Sequence, residues 1–157
     1  MDLKIKALQK FFHHNMEYEI GIVSGYFNPV HFGHIEYING AKEKSKTLIV
    51  VINNDRQVKL KKSKPFMTDI HRANIMHSIK GVDYALISHD GDLHQCETLR
   101  YIRSLYPNAK MAFFNSGDRT ATTVASAEQL VCKELNIDFV LLGQPKIYSS
   151  SELLKNI

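Results

Sequence analysis

The sequence predicts one α/β domain built on a parallel sheet. Three observations carry that prediction. Short apolar, β-branched runs of strand length recur along the chain and alternate with segments whose apolar residues repeat at helical spacing. One of these runs, Thr47-Leu48-Ile49-Val50-Val51-Ile52, is continuously apolar after its first residue, as expected of a strand covered on both faces. The chain has 157 residues, 44% of them hydrophobic, which is enough for one sizeable core, and no linker, repeat or low-complexity stretch divides it.

Taken in order, residues 1–17 form an N-terminal helical extension. Met1–Phe12 has helical spacing and lacks the apolar stretch and cleavage site of a signal peptide, so the extension is expected to pack on the domain or on a partner subunit. Ile20–Val23 is the first strand and Ile35–Lys42 the helix after it. Thr47–Ile52 is the second strand, broken by Asn53-Asn54-Asp55-Arg56, and a polar, lysine-rich connection runs on to Pro65. Thr68–Ile79 reads as a helix with Thr68 as N-cap and Gly81 as its stop. Tyr84–Ile87 is the third strand, and a helix from about Leu93 to Leu105 ends near Pro107. Lys110–Phe114 is the fourth strand and runs into Asn115-Ser116-Gly117-Asp118. A helix over Ser126–Leu135, a fifth strand over Phe139–Leu142 and a short helix after Ser149-Ser150-Ser151 complete the chain. The predicted architecture is a Rossmann-like, doubly wound sheet of about five parallel strands plus the extra N-terminal helix.

In such a sheet ligands bind beyond the carboxyl ends of the strands. Three polar segments follow strands directly and are expected to meet at that edge: Gly25–His34, Asn53-Asn54-Asp55 and Gly117-Asp118. The first is the most informative. Gly25-Tyr26-Phe27-Asn28-Pro29-Val30-His31-Phe32-Gly33-His34 places two glycines, a proline turn and two histidines where a strand hands over to a helix. A helix N-terminus offers backbone N–H groups and partial positive charge, which suits phosphate. Glycine lets an anion approach the backbone closely. The other readings of His31 and His34 are a core-edge pair or a metal pair.

The whole string resembles the HxGH motif of the nucleotidylyltransferase superfamily, which includes glycerol-3-phosphate cytidylyltransferase, phosphopantetheine adenylyltransferase, nicotinamide mononucleotide adenylyltransferase and heptose 1-phosphate adenylyltransferase. The resemblance spans residues 18–157. It implies transfer of NMP from ATP or CTP to a phosphorylated sugar or polyol, with pyrophosphate released and no covalent enzyme intermediate. His31 and His34 would then be catalytic, stabilising the pentavalent phosphorus. Gly25, Tyr26, Phe27, Asn28 and Gly33 would bind nucleotide. In the lysine-rich run Lys59–Lys64, the family register favours Lys64 as a catalytic phosphate contact, with Lys61 or Lys62 assisting. Arg72 matches the family's helix arginine and Asp118 its Gly-Asp aspartate. Ser149, Ser150 and Ser151 match its second motif, a hydroxyl-rich helix start that makes another phosphate cradle. Asn28-Pro29 departs from the Phe-Asp pair of the sugar and polyol enzymes, and residues 118–129 match no subfamily. Leu154-Lys155 and Val51–Lys59 are similar to the heptose enzyme, which favours a sugar-phosphate acceptor and places ATP slightly ahead of CTP.

The resemblance also implies Mg²⁺ arriving with the triphosphate, not a metal held tightly by the protein, and a homo-oligomer. His13, His14, His71, His77, His89 and His94 match nothing in the motif and read as surface or helix-face residues. Net charge is +4, a modest basic balance that suits a polyphosphate substrate. The basic run lacks interleaved aromatics, which argues against single-stranded nucleic acid. The chain has no room for a tRNA-binding domain, and no run is long and apolar enough to span a membrane. Cys96 and Cys132, both in predicted helices, read as buried thiols and fit a reducing cytoplasm. A non-catalytic nucleotide sensor is the alternative of a different class.

Overall fold

The computed structural model describes residues 16–116 and 126–143. The expected N-terminal helix, Gly117-Asp118 and the Ser149–Ser151 tail lie outside the described residues. Within them, β1 (Tyr18–Gly25), β2 (Ser45–Ile52), β3 (Tyr84–Ile87), β4 (Met111–Ser116) and β5 (Ile137–Leu142) form one sheet. Its order is β3-β2-β1-β4-β5, and every neighbouring pair is parallel. The helices are α1 (Phe32–Glu43), α2 (Asp55–Leu60), α3 (Asp69–His77), α4 (Cys96–Leu105) and α5 (Ala127–Glu134). The expected five-stranded, doubly wound sheet is what the chain forms.

Alternation along the strands builds two cores. Val23, Leu48, Val50, Ile52, Ala112 and Phe114 pack with Ile38 and Ala41 of α1 and Met76 of α3. The intervening residues Ile22, Ile49, Val51, Met111 and Phe113 pack with Leu99 and Ile102 of α4 and with Val131 and Cys132 of α5. Helices therefore cover both faces, which is why the strand sequences are continuously apolar. Each such aliphatic side chain removed from water contributes about 1.5–3 kcal/mol. Cys96 and Cys132 are free thiols; Cys132 is buried as expected, whereas Cys96 is half-buried, and burial pushes the Cys132 thiol up to about 12, so it packs as a hydrophobe.

Several boundaries differ from the sequence reading, and three have clear causes. β1 begins before its apolar run, because Glu17 and Tyr18 donate to Lys44 O and Glu19 donates to Lys110 O, extending the ladder. The lysine-rich connection contains a helix, α2. Asn54 caps it, accepting from Gln57 N at 2.9 Å while Gln57 Oε1 accepts from Asn54 N at 2.9 Å. α4 starts at Cys96, later than Leu93, where Asp90 reaches forward. Its buried carboxylate accepts from Glu97 N at 2.9 Å and Thr98 N at 3.0 Å. Thr68 caps α3 as expected. That helix stops at Ser78, before Gly81, whose φ of +97° makes the turn toward β3.

Candidate active site

From β1 the chain runs to β2 on one side, and it returns as β4 on the other side of β1. The carboxyl end of β1 is therefore the point where strand order reverses, and the Gly25–His34 segment begins there. Gly25 is paired with Ile52, and Asn53 N donates to Gly25 O at 2.9 Å, so the polar segments after β1 and β2 sit side by side. Tyr37 Oη donates to Phe114 O, tying α1 to β4.

His31 is the N-cap of α1 and His34 closes its first turn. Their rings stack, with centroids 3.7 Å apart and planes 21° from parallel. His31 N donates to His34 Nδ1 at 3.1 Å. An imidazole nitrogen that accepts carries no proton, so this bond assigns the proton of neutral His34 to Nε2. The first turn of α1 itself contains no acidic residue, so nothing within that turn offsets the positive end of the helix dipole. The pair and the helix start together can donate to an anion. Gly33 is the second residue of α1, inside that turn.

The turn before the histidines is shaped by an aromatic ring. Phe27 has a φ of +49° and is 1% exposed. Its ring meets His34 edge-on, with centroids 4.8 Å apart. A Cβ on Gly25 would lie 2.8 Å from Phe27 Cζ and 3.1–3.2 Å from the two Cε atoms. Gly25 is thus required by close packing under the ring that backs His34. Gly25→Ala is expected to cost about 1–3 kcal/mol through overpacking and to lower turnover by shifting His34. Thermal unfolding and initial rates check both; an unchanged protein would mean that the ring has room to move.

Other residues expected to bind nucleotide make contacts within the protein. Asn28 is 3% exposed, and its amide is engaged with the lysine segment: Nδ2 donates to Lys64 O at 2.8 Å and Oδ1 accepts from Phe66 N. Phe27 is likewise enclosed. Arg72 is fully enclosed. Its side chain has no exposed surface, and its guanidinium makes four hydrogen bonds: Nε to Met67 O at 3.0 Å, Nη1 to Tyr26 O at 2.7 Å and Asn53 O at 2.8 Å, and Nη2 to Asp55 Oδ1 at 2.7 Å. In this arrangement it joins the segments after β1 and β2 to the one before α3. Tyr26 is half-buried, and Lys61 Nζ stands 4.4 Å from its ring centroid, a cation–π contact. Lys64 itself is exposed.

Sequence reasoning missed Asp55 and Asp69 as a framework. Asp55 N donates to Asp69 Oδ2 at 3.0 Å, and Asp69 N donates to Asp55 Oδ1 at 2.9 Å. Each aspartate opens a helix, and each serves the other helix's N-terminus. The available signal was an aspartate just after a polar cap residue, Asn54-Asp55 and Thr68-Asp69. Among the described residues no helix is long and apolar enough to cross a membrane. No group of three or more His, Cys, Asp or Glu stands together among them to hold a metal.

The reversal of strand order, with the paired histidines on the opening turn of the helix beside it, defines a Rossmann-like domain with a polar segment at its switch point. Comparison with known proteins gives the family. Residues 22–156 match the Cytidylyltransferase-like family, and the chain belongs to it. An FAD synthase from Pyrococcus abyssi is 33% identical over 88 residues, 55% of this chain and 57% of that protein. The bifunctional protein HldE of a Nitratiruptor species is 36% identical over 76 residues, 47% of this chain and 16% of that protein. The chain thus matches less than two thirds of the length of these relatives. In fold it is similar to a lipopolysaccharide core biosynthesis protein from Thermoplasma volcanium, with a TM-score of 0.63, 19% identity, and 82% of this chain and 98% of that one covered. It is also similar to a Francisella tularensis bifunctional NMN adenylyltransferase/ADP ribose pyrophosphatase, crystallised with AMP and a manganese ion, with a TM-score of 0.62, 19% identity, and 88% and 41% covered.

Proposed function

We propose that the chain is a nucleotidylyltransferase that transfers NMP from a nucleoside triphosphate, ATP ahead of CTP, to a phosphorylated sugar or polyol. The observation that carries this reading is the stacked His31–His34 pair on the opening turn of α1, with His34 Nδ1 occupied by His31 N–H. An acceptor phosphate oxygen attacks the α-phosphorus in line. The new O–P bond forms as the bond from the α-phosphorus to the bridging oxygen breaks, and pyrophosphate leaves with that electron pair. The acceptor is already an anion, so the reaction needs no strong base. It needs two anions held together and the charge growing on phosphorus stabilised. His34 Nε2–H, His31 and the start of α1 supply that stabilisation, and Lys64 steadies a phosphate. Asp118 and Ser149–Ser151 remain proposed nucleotide contacts. Mg²⁺ enters as part of the substrate, bound mainly by the triphosphate oxygens.

Support for ATP comes from the relatives' names. FAD synthesis and NMN adenylylation both join an AMP unit to a phosphorylated acceptor, and in FAD that acceptor phosphate sits on a ribityl, hence polyol, chain. The test is pyrophosphate release by the purified chain with ATP, CTP, GTP or UTP and Mg²⁺, against heptose 1-phosphate, glycerol 3-phosphate, FMN and NMN, with products identified by mass. Turnover is expected with a sugar- or polyol-type acceptor, lost with EDTA and restored by Mg²⁺. Triphosphate binding with no pyrophosphate release for any pair would favour the sensor. Stoichiometric zinc in the nucleotide-free protein would turn the histidine pair into a metal site and overturn the mechanism.

A further inference from the structure

We propose that Asn28 is a positioning residue that sets Lys64, and that the site requires at position 28 a side chain able to donate and accept at once. The proposal rests on the reading of Lys64 as a phosphate contact. Asn28 is 3% exposed, and both ends of its amide are used on one short stretch, donating to Lys64 O at 2.8 Å and accepting from Phe66 N. These two backbone atoms flank Pro65, so the bonds fix the chain on both sides of the residue that follows Lys64. Arg72 strengthens the same junction by holding Tyr26 O and Met67 O together, and Lys61 lies over the Tyr26 ring. The lysine-rich stretch is thereby fastened to the turn that carries His31 and His34. A lysine on a fixed backbone loses only side-chain freedom when it meets a phosphate, which lowers the cost of binding and fixes where the charge sits.

The chemistry of the staple excludes a carboxylate. Ionised aspartate accepts only, so at position 28 it would set a negative oxygen against Lys64 O. The neutral acid restores the pattern, with O–H donating to Lys64 O and C=O accepting from Phe66 N. Burial beside a carbonyl favours that neutral form.

The test uses Asn28→Ala, Asn28→Asp, Lys64→Ala and the Asn28→Ala/Lys64→Ala double variant of the full chain. Hydrogen exchange at the Phe66 amide is expected to quicken in Asn28→Ala while amides of β1 and β2 keep their protection. Asn28→Ala should raise the KM for the substrate whose phosphate meets Lys64 by about tenfold, yet add less than about twofold in the Lys64→Ala background. The kcat/KM of Asn28→Asp relative to the parent should rise as pH falls through the carboxyl's pKa, because only the neutral acid restores both bonds. The ratio removes any titration shared with the histidines. Independent, multiplicative losses, a flat pH ratio or unchanged Phe66 exchange would each overturn the proposal. An inactive parent protein with every substrate pair would overturn the proposed activity instead, and Phe66 exchange would still decide whether the staple exists.

Discussion

His34→Ala is expected to lower kcat by about 10²-fold or more, and His31→Ala by a comparable factor. Each substitution removes a preorganised donor aimed at developing charge, a loss of about 3 kcal/mol in related catalytic settings. The two losses should not simply add, because the rings stack at 3.7 Å and His31 N donates to His34 Nδ1. Triphosphate affinity should fall much less, since the helix start and Lys64 remain. Stability gives the control. His34→Ala deprives His31 N–H of its acceptor and Phe27 of an edge contact, a cost of about 1 kcal/mol. If the pair merely packs the turn, alanine should move the melting temperature and leave kcat of the folded protein intact. Measuring kcat, KM and melting temperature on both variants separates the two readings. A normal kcat in folded His34→Ala would overturn the mechanism.

The sheet was legible in the sequence because its signal is local and repeated. Ile20–Val23 and Thr47–Ile52 are apolar on both alternating faces, and such runs have few options besides a covered parallel strand. The position of the histidine turn was legible for a similar reason: an apolar run before it and helical spacing after it place Gly25–His34 where a strand hands over to a helix. What escaped the sequence depends on distant partners. Arg72 in Ile70-His71-Arg72-Ala73 reads as a solvated helix residue or a ligand, and only the fold shows carbonyls from Tyr26 and Asn53 closing around it. Asn28 reads as part of a turn, yet its partners lie 36 and 38 residues away. α2 was hidden because the lysines that suggest a loop are equally at home on an exposed helix face, and its cap bonds are made by Asn54 and Gln57. Polar residues with several possible partners are under-determined by local pattern, whereas apolar periodicity is not.

Arg72 therefore gives a forecast opposite to that for a ligand contact. Arg72→Ala is expected to destabilise the chain by about 2–5 kcal/mol, the usual cost of truncating a large, fully enclosed side chain, here one that also holds the half-buried Asp55. The substitution would leave Tyr26 O, Asn53 O and Met67 O without this donor and Asp55 without its cation. It would also open a cavity where a fully enclosed side chain stood. Domains of this size are commonly stable by only about 5–15 kcal/mol, so a large share of the total is at stake. Arg72→Lys should recover little, because an ammonium lacks the planar fork that reaches four acceptors in different directions. Loosening this joint should also reach the chemistry, since Tyr26, Asn53 and Met67 border the segments that carry His31, Asp55 and Lys64. The expected sequence of effects is a lower urea midpoint first, then reduced kcat in whatever remains folded. A nucleotide contact would behave otherwise, raising KM several-fold at an unchanged midpoint. Urea denaturation alongside steady-state kinetics on Arg72→Ala and Arg72→Lys distinguishes them: an unchanged midpoint in either variant would show that the guanidinium is not the joint that its four hydrogen bonds describe.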